Sequence, residues 1–404
     1  MDNNSEANVS NETQNNKIIN NTSDCKDINE IDFEKIELIN GETPHDIKHR
    51  CLKLCQQYLA GNWLQQTVDT IKVKRLTGGL TNQLYYCGID KQSTDDLQET
   101  PNEVAIRLNP SKDTLISDSD KNKWLSEVVV SLMVSQNKLG PKIYGIFDCG
   151  QIQAFYKQRP FKVNEQNDPK LVTELFEKLA RVHAMDVPIK KSEWFLNELY
   201  KFYDKSTKKT ELFALLNKSD IFAKNNLKDE INWIRDIIQK SDSPLVFTHN
   251  DFRSNNIMVL ENSIPETGQQ IVLCDFDSSG YGYRGQDFGA IMSEWGRTPN
   301  DVKKPHYFPD DSILRSIFDI YVKETERLFG KEYCEAKRVT IDEIIKETKV
   351  YMLYYRLFVV VYYMGTDSKA AFFAMTNTVM VQRVEIAYNN YFRFKEQFIQ
   401  QYLV

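Results

Sequence analysis

Apolar residues recur along this chain at two spacings, and the change from one to the other divides it. Over residues 43–58 they fall on one helical face, which predicts an amphipathic helix. Over 68–75 the spacing shortens to alternation. The run Thr77-Gly78-Gly79-Leu80-Thr81-Asn82 interrupts it, and alternation returns at 84–87, so the segment reads as strand, glycine turn, strand. Further strands are predicted at 103–108, 142–147 and 153–156. The polar stretches 91–102 and 109–123 read as loops, and the second leads into a helix carrying Trp124, Val128 and Leu132 at helical spacing.

After Pro160 the period becomes helical. Leu171, Leu175, Leu179 and Val182 form one stripe that ends near His183, and helical patterns continue to about residue 239. Two short apolar strands, 245–248 and 271–274, then flank a polar loop, and the chain is helical again from about 310. The first thirty or so residues are rich in Asn, Ser, Asp and Glu, and bury too little to offset their ordering entropy. The expected organisation is an α+β chain: a disordered tail at 1–32, a small β-rich N-terminal lobe at 33–158, and a larger, mainly helical C-terminal lobe at 159–404.

Composition narrows the function classes. A net charge of −6 over 404 residues argues against a nucleic-acid surface, which needs clustered Lys and Arg. The seven cysteines are odd in number, mostly scattered, and contain no CxxC pair, so neither a disulfide framework nor a zinc site is expected. No apolar leader opens the chain. The longest apolar stretch, 350–364, is interrupted by Arg356 and is short for a bilayer, so it is expected to be a buried helix in a cytoplasmic protein without a membrane span.

The chemistry is concentrated around the polar loop. In Thr248-His249-Asn250-Asp251-Phe252-Arg253-Ser254-Asn255-Asn256 an apolar strand delivers Asp251, and Asn256 follows five positions later, the spacing of the catalytic Asp and Asn in protein-kinase-like enzymes. A carboxylate there can accept the proton of an attacking hydroxyl, and an amide oxygen is a hard ligand for magnesium. The second strand ends in Cys274-Asp275-Phe276-Asp277, which places a second metal-binding carboxylate, Asp275, behind an apolar strand. Each signal alone is weak. Their order and shared context point to phosphoryl transfer. In the N-terminal lobe, Gly78-Gly79 permits close backbone approach to phosphate, Thr81 and Asn82 add donors, and Arg107 on its strand can meet phosphates, held there by Glu127.

With those residues in hand, the chain resembles the choline/ethanolamine kinase family from about residue 70 to 398. The loop from His249 to Asn256 is similar to the family's HND-x4-N loop. CDFDSSGYGYRGQDFGAIMSEW, from Cys274 to Trp295, is similar to its DFEYS-x-YNYR segment with the following acidic and EW positions. Gly78 to Asn82, Leu139-Gly140-Pro141-Lys142-Ile143-Tyr144-Gly145, and Arg181-Val182-His183-Ala184-Met185 carry the remaining likeness. The resemblance implies a two-lobed protein-kinase-like fold, Mg2+ and ATP, and phosphorylation of choline as the first step of phosphatidylcholine synthesis. An ethanolamine or dual-specificity kinase is the alternative, and homodimerisation is left open. It further implies Asp251 as base and acceptor contact, and Asn256 and Asp275 as metal ligands. ATP would meet Gly78, Gly79, Leu80, Thr81, Asn82, Arg107 and Glu127, with adenine passing Gln153, Phe155 and Tyr156. The acceptor would meet Asp277, Tyr283, Glu294, Trp295, Tyr362 and Tyr363.

The chain also departs from the family. Asp277-Ser278 stands where the family has Glu-Tyr, and residues 356–364 lack the two Trp that line a choline pocket. A quaternary ammonium has no N–H to donate and relies on aromatic faces, whereas a primary ammonium is served by carboxylates. Tyr281, Tyr283, Trp295, Tyr362 and Tyr363 remain as material for an aromatic cage. A pseudokinase is disfavoured by the presence of Asp251, Asn256 and Asp275. A protein kinase is disfavoured by the absence of a G-x-G-x-x-G loop and an APE element.

Overall fold

The structure, a computed structural model, describes residues 27–32, 34, 41–77, 82–90, 100–109, 118–191, 195–208, 210–264, 267–365 and 376–403. The expectations for the tail up to residue 26, for the insert at 91–99 and for Gly78, Gly79, Leu80 and Thr81 fall outside the described residues.

The helix α1 (Ile47–Tyr58) forms inside the amphipathic stretch and buries Cys51 and Cys55. The strands β1 (Lys72–Leu76), β2 (Gln83–Gly88) and β3 (Glu103–Leu108) follow the alternating segments. Then come α2 (Asp118–Gln136), β4 (Ile143–Phe147) and β5 (Gly150–Ala154). All neighbours pair antiparallel in one sheet ordered β1-β2-β3-β5-β4. Side chains alternate faces along a strand. Val104, Ile106 and Leu108 therefore join Tyr85, Cys87, Ile152, Trp63 and the α1 cysteines in one core, while Arg107 lies on the opposite face of β3. The last strand ends earlier than the expected 153–156, because the hairpin closes tightly on β3. A Cβ at Gly150 would lie 1.9 Å from the carbonyl oxygen of Arg107. Phe155 and Tyr156 consequently fall in the link between the two lobes.

The chain enters the second lobe through β6 (Gln158–Pro160), which the sequence pattern did not single out. Helix α3 (Pro169–His183) begins cleanly, with Pro169 in its first turn and Asp168 accepting the backbone N–H groups of Lys170 and Leu171. Its predicted stripe is buried in the main core. The helices α4 (Phe195–Thr207), α5 (Thr210–Leu216), α6 (Asp220–Lys224) and α7 (Leu227–Gln239) follow. The strands β7 (Leu245–Thr248), β8 (Ile257–Leu260), β9 (Ile271–Leu273) and β10 (Gly280–Tyr283) frame the polar loop. They make two small sheets, β6-β8-β9 and β10-β7. The lobe is completed by α8 (Gly285–Glu294), α9 (Asp311–Phe329), α10 (Lys331–Ala336), α11 (Ile341–Gly365) and α12 (Asn377–Tyr402).

The apolar stretch at 350–364 is the buried α11, which packs against α8, α9, α4, α7 and α12. Its interrupting Arg356 is accommodated because the guanidinium donates to the carbonyl of Ser293 at the end of α8. Among the described residues no helix is long and apolar enough to cross a membrane. One part of the expected tail needs correction. Residues 28–30 form a 3-10 turn in which Ile28 is buried, and the Ile28 N–H donates to Gln382 Oε1 of α12 at 2.9 Å. Asp32 accepts Asn300 Nδ2 at 2.9 Å. Two isoleucines in a polar segment suffice to seat it on the lobe.

The framework beneath the polar loop depends on α8 lying close to α11. A Cβ at Gly289 would sit 2.5 Å from the backbone carbonyl carbon of Tyr351, which no rotamer change can relieve. Gly289→Ala is expected to destabilise the protein by about 1–3 kcal/mol through overpacking, measured as a lowered urea midpoint. A wild-type midpoint would show that α8 is free to shift.

Candidate active site

The loop between β7 and β8 is held from beneath. Asp287, fully buried in the first turn of α8, accepts two consecutive loop N–H groups: His249 N at 2.7 Å on Oδ2 and Asn250 N at 2.8 Å on Oδ1. His183 Nε2 of α3 lies 3.1 Å from Asp287 Oδ2, and His183 Nδ1 lies 2.9 Å from the Tyr321 hydroxyl of α9. The loop thus rests on a carboxylate that is itself hydrogen-bonded, which is what a buried charge requires. His249, also buried, has Nε2 at 2.9 Å from the carbonyl of Cys274, so it ties the loop to the end of β9. Its ring packs 4.5 Å from that of Phe276.

Both ends of the predicted constellation adopt left-handed backbone conformations, with φ of 64° at Asn250 and 61° at Asp275. Such angles are uncommon outside glycine and persist where the surroundings enforce them. At Asn250 the enforcement is visible. Its side chain donates to the Ser278 carbonyl at 3.0 Å, and its Oδ1 accepts Gln286 Nε2 at 3.2 Å. Asp251 then projects from the turn. Asn256 Nδ2 donates to Asp251 Oδ2 at 2.7 Å and to its carbonyl at 2.9 Å, which leaves the Asn256 amide oxygen as the atom for a cation.

Asp275 stands close enough to Asp251 and Asp277 to feel both. Burial, then Asp277 and Asp251, push its carboxyl up to about 6, against the opposing pull of Arg107 and His249. An excess of carboxylates at one point is the electrostatic condition for a divalent cation. Oxygen donors from Asp275 and Asn256 fit magnesium, which is commonly held by one or two side chains plus substrate phosphates. No cluster of three His, Cys, Asp or Glu side chains suited to a metal occurs among the described residues.

The N-terminal lobe meets this point through β3. Arg107 forms an ion pair with Asp277, and Asn82 Nδ2 donates to the same carboxylate oxygen at 2.9 Å. Arg107 therefore pairs with Asp277, while the expected Glu127 lines the same pocket, along with Trp124 and Gln151, and adds to the electrostatic hold on the guanidinium. Asp277, expected at the acceptor, is drawn to the other side by two N-terminal-lobe donors. Gln153 accepts Gln151 Nε2 at 2.9 Å, and Phe155 packs edge-on to Tyr86 with centroids 4.7 Å apart.

The aromatic residues expected to form a cage do not converge. Trp295 packs into the core against Phe176 and Phe161, 6.1 and 6.2 Å between centroids. Tyr362 faces Phe202 at 5.1 Å, Tyr283 packs against Tyr351 at 6.2 Å, and the Tyr281 hydroxyl binds the backbone of Val187. Each lies on a face of its element that meets core helices, and periodicity alone did not separate that face from the cleft. Tyr363 does lie near the site, but its ring is covered by the Arg383 guanidinium 4.4 Å away. Near Asp251 the structure instead brings Glu294 together with Arg253 and Tyr355. Arg253 Nη2 is 3.1 Å from Glu294 Oε1, and Ser254 N–H donates to Glu294 Oε2 at 3.3 Å. The Arg253 guanidinium is held above the usual arginine range, chiefly by Glu294 and also by Tyr355, Asp251 and Tyr363.

The sequence reading missed Asp287, His183, Arg253 and Tyr355 as site residues. Asp287 and His183 lay inside segments already recognised as similar to the family. Arg253 occupied an unspecified position of the HND-x4-N loop, and Tyr355 carried no signal.

Comparison with known proteins agrees with this architecture. A two-lobed kinase-like fold is shared with a choline kinase from Cryptosporidium parvum, with a TM-score of 0.63 at 17% identity, covering 87% of this chain and 96% of that one. It is also shared with an ethanolamine kinase from Plasmodium vivax, with a TM-score of 0.61 at 16% identity over 89% and 92% of the two chains. The choline/ethanolamine kinase family model matches residues 73–402, and the chain belongs to that family. A choline/ethanolamine kinase of Rattus norvegicus is 31% identical over 252 residues, 62% of this chain and 61% of the relative. The choline kinase A2 of Caenorhabditis elegans is 26% identical over 70% of this chain and 73% of its own length. The match to the rat protein thus spans about three fifths of that relative's length.

Two outcomes follow from the site's construction. Asp287→Asn loses the charged acceptor for two loop N–H groups and is expected to destabilise the protein by about 1–3 kcal/mol, measured as a lowered urea midpoint. An unchanged midpoint would mean that the loop orders itself. For Asp275, a folded-state pKa above its unfolded value means that its contribution to stability is present at low pH and lost as pH rises through about 6. Without magnesium, Asp275→Asn should therefore raise the melting temperature at about pH 8 and leave it nearly unchanged at about pH 4. The opposite pH trend would contradict the electrostatic account.

Proposed function

We propose that this chain is an ATP-dependent kinase of small amino alcohols, phosphorylating the hydroxyl of ethanolamine in preference to that of choline. The observation that carries the reading is the Asp251 carboxylate, fixed by Asn256 at 2.7 Å beside Asp275, in a chain of the choline/ethanolamine kinase family. ATP lies between the lobes, its phosphates toward Arg107 and Asn82 and its adenine toward the link at Phe155 and Tyr156. The acceptor hydroxyl donates to Asp251, which holds it in line with the γ-phosphoryl group and takes its proton late in the transfer. Asn256 and Asp275 would hold magnesium, which would supply charge neutralisation of the phosphates. Positioning and electrostatics account for most of the acceleration in such transfers.

The preference for ethanolamine rests on what lies near Asp251. Glu294 is a carboxylate suited to a primary ammonium, whereas Trp295, Tyr362 and Tyr283 are committed elsewhere. Choline remains the second reading, favoured by Tyr355 and Tyr363 beside the Arg253 guanidinium.

The test is release of ADP that depends on both magnesium and an added amino alcohol. Catalytic efficiency is expected to be higher for ethanolamine than for choline. Asp251→Ala is expected to lower kcat by more than about a hundredfold while ATP still binds. Near-normal turnover in that variant would remove Asp251 from the mechanism, and ADP release without acceptor dependence would remove the amino alcohol.

A further inference from the structure

Glu294 is the carboxylate available to an acceptor's ammonium, yet neither of its oxygens is idle. Oε1 takes Arg253 Nη2 at 3.1 Å and Oε2 takes the Ser254 N–H at 3.3 Å. Arg253 is two residues from the base, on the same loop. Its Nε is buried and has no hydrogen-bond partner among the described residues, so the guanidinium fork is only partly used. The two charged side chains are partly exposed, 30% for Arg253 and 24% for Glu294, so a small solute can reach the pair. Asp251, Tyr355 and Tyr363 are close enough to act on the guanidinium electrostatically.

We infer that Arg253 is a specificity-determining residue, an internal counter-ion that sits beside the acceptor's ammonium position on Glu294 and selects for ammonium groups that carry N–H donors. The inference rests on the amino-alcohol kinase reading and deepens it. With Arg253 in place, the charge of Glu294 is already compensated. A primary ammonium can still bind by donating N–H bonds to the remaining lone pairs of the two carboxylate oxygens, without displacing the guanidinium. A trimethylammonium has no such donor. From Glu294 it gains only through net charge, which the guanidinium cancels, and its methyl groups need the space that the Arg253 side chain fills. Each N–H replaced by a methyl therefore removes a compensating hydrogen bond while leaving the repulsion in place. Because the pair is partly exposed, the effect is that of a screened ion pair, a factor of roughly two to five.

The experiment measures kcat and KM with saturating magnesium-ATP for ethanolamine, N-methylethanolamine, N,N-dimethylethanolamine and choline. It compares the wild type with Arg253→Gln and Arg253→Lys and records melting curves for all three. In the wild type, efficiency should fall at each methylation, mainly through KM. In Arg253→Gln the series should flatten, with KM for choline falling roughly twofold to fivefold and KM for ethanolamine moving less. Arg253→Lys should keep the wild-type order. A wild-type series that is flat or rises toward choline overturns the inference, and needs no variant to do so. An Arg253→Gln series as steep as the wild type assigns the pair a merely structural role and overturns it too, as does a change confined to kcat. If the wild type phosphorylates none of the four acceptors, the kinase reading itself has failed, a result distinct from any of these.

Discussion

The site depends on one buried carboxylate. Asp287 spends both oxygens on consecutive backbone N–H groups of the loop and is steadied by His183 and Tyr321 from two further helices. A charge at that depth survives only when its lone pairs are filled, so loop, α3, α8 and α9 are mutually fixed. The left-handed turn at Asn250 follows from that fixation, and the position of Asp251 follows from the turn. Close approach of α8 to α11 at Gly289 completes the support. A second buried pair, Arg284 Nη2 to Glu347 Oε1 at 2.6 Å, locks the start of α8 to the same long helix.

The charged groups of the cleft divide into two sets. Arg107 and Asn82 reach from the N-terminal lobe to Asp277, on the side where a nucleotide's phosphates would lie under the proposed function. Arg253 and Glu294 form the other set, within the helical lobe. Asp251, Asn256 and Asp275 lie with them, and burial, then the neighbouring carboxylates Asp277 and Asp251, raise the Asp275 carboxyl pKa. Opposed carboxylates without a cation are an unfavourable arrangement, and a divalent ion with ATP would relieve it. The second set is more evenly balanced, because Arg253 already answers Glu294.

Much of this was legible in the chain before folding. Periodicity located α1, α3, the strands of the first sheet and the buried α11, since each has a regular apolar face. The spacing of Asp251 and Asn256, with Asp275 behind a second strand, marked the chemistry because a short loop keeps sequence neighbours close in space. The strands β6 and β10 were not legible. Gln158–Pro160 is short and polar and Gly280–Tyr283 alternates glycine with tyrosine, so both are strands only because β8 and β7 supply partners.

The sequence by itself determined the two-lobed order, the carboxylates that gather around the polar loop and the family, all of which are carried by local pattern. Tertiary structure alone decided which side chains face one another. It turned Trp295, Tyr362 and Tyr283 into core packing, gave Arg107 the partner Asp277, and set Arg253 on Glu294. Those contacts join residues distant along the chain, and their choice rests on which face of each helix or strand the core claims, a property that no single segment encodes.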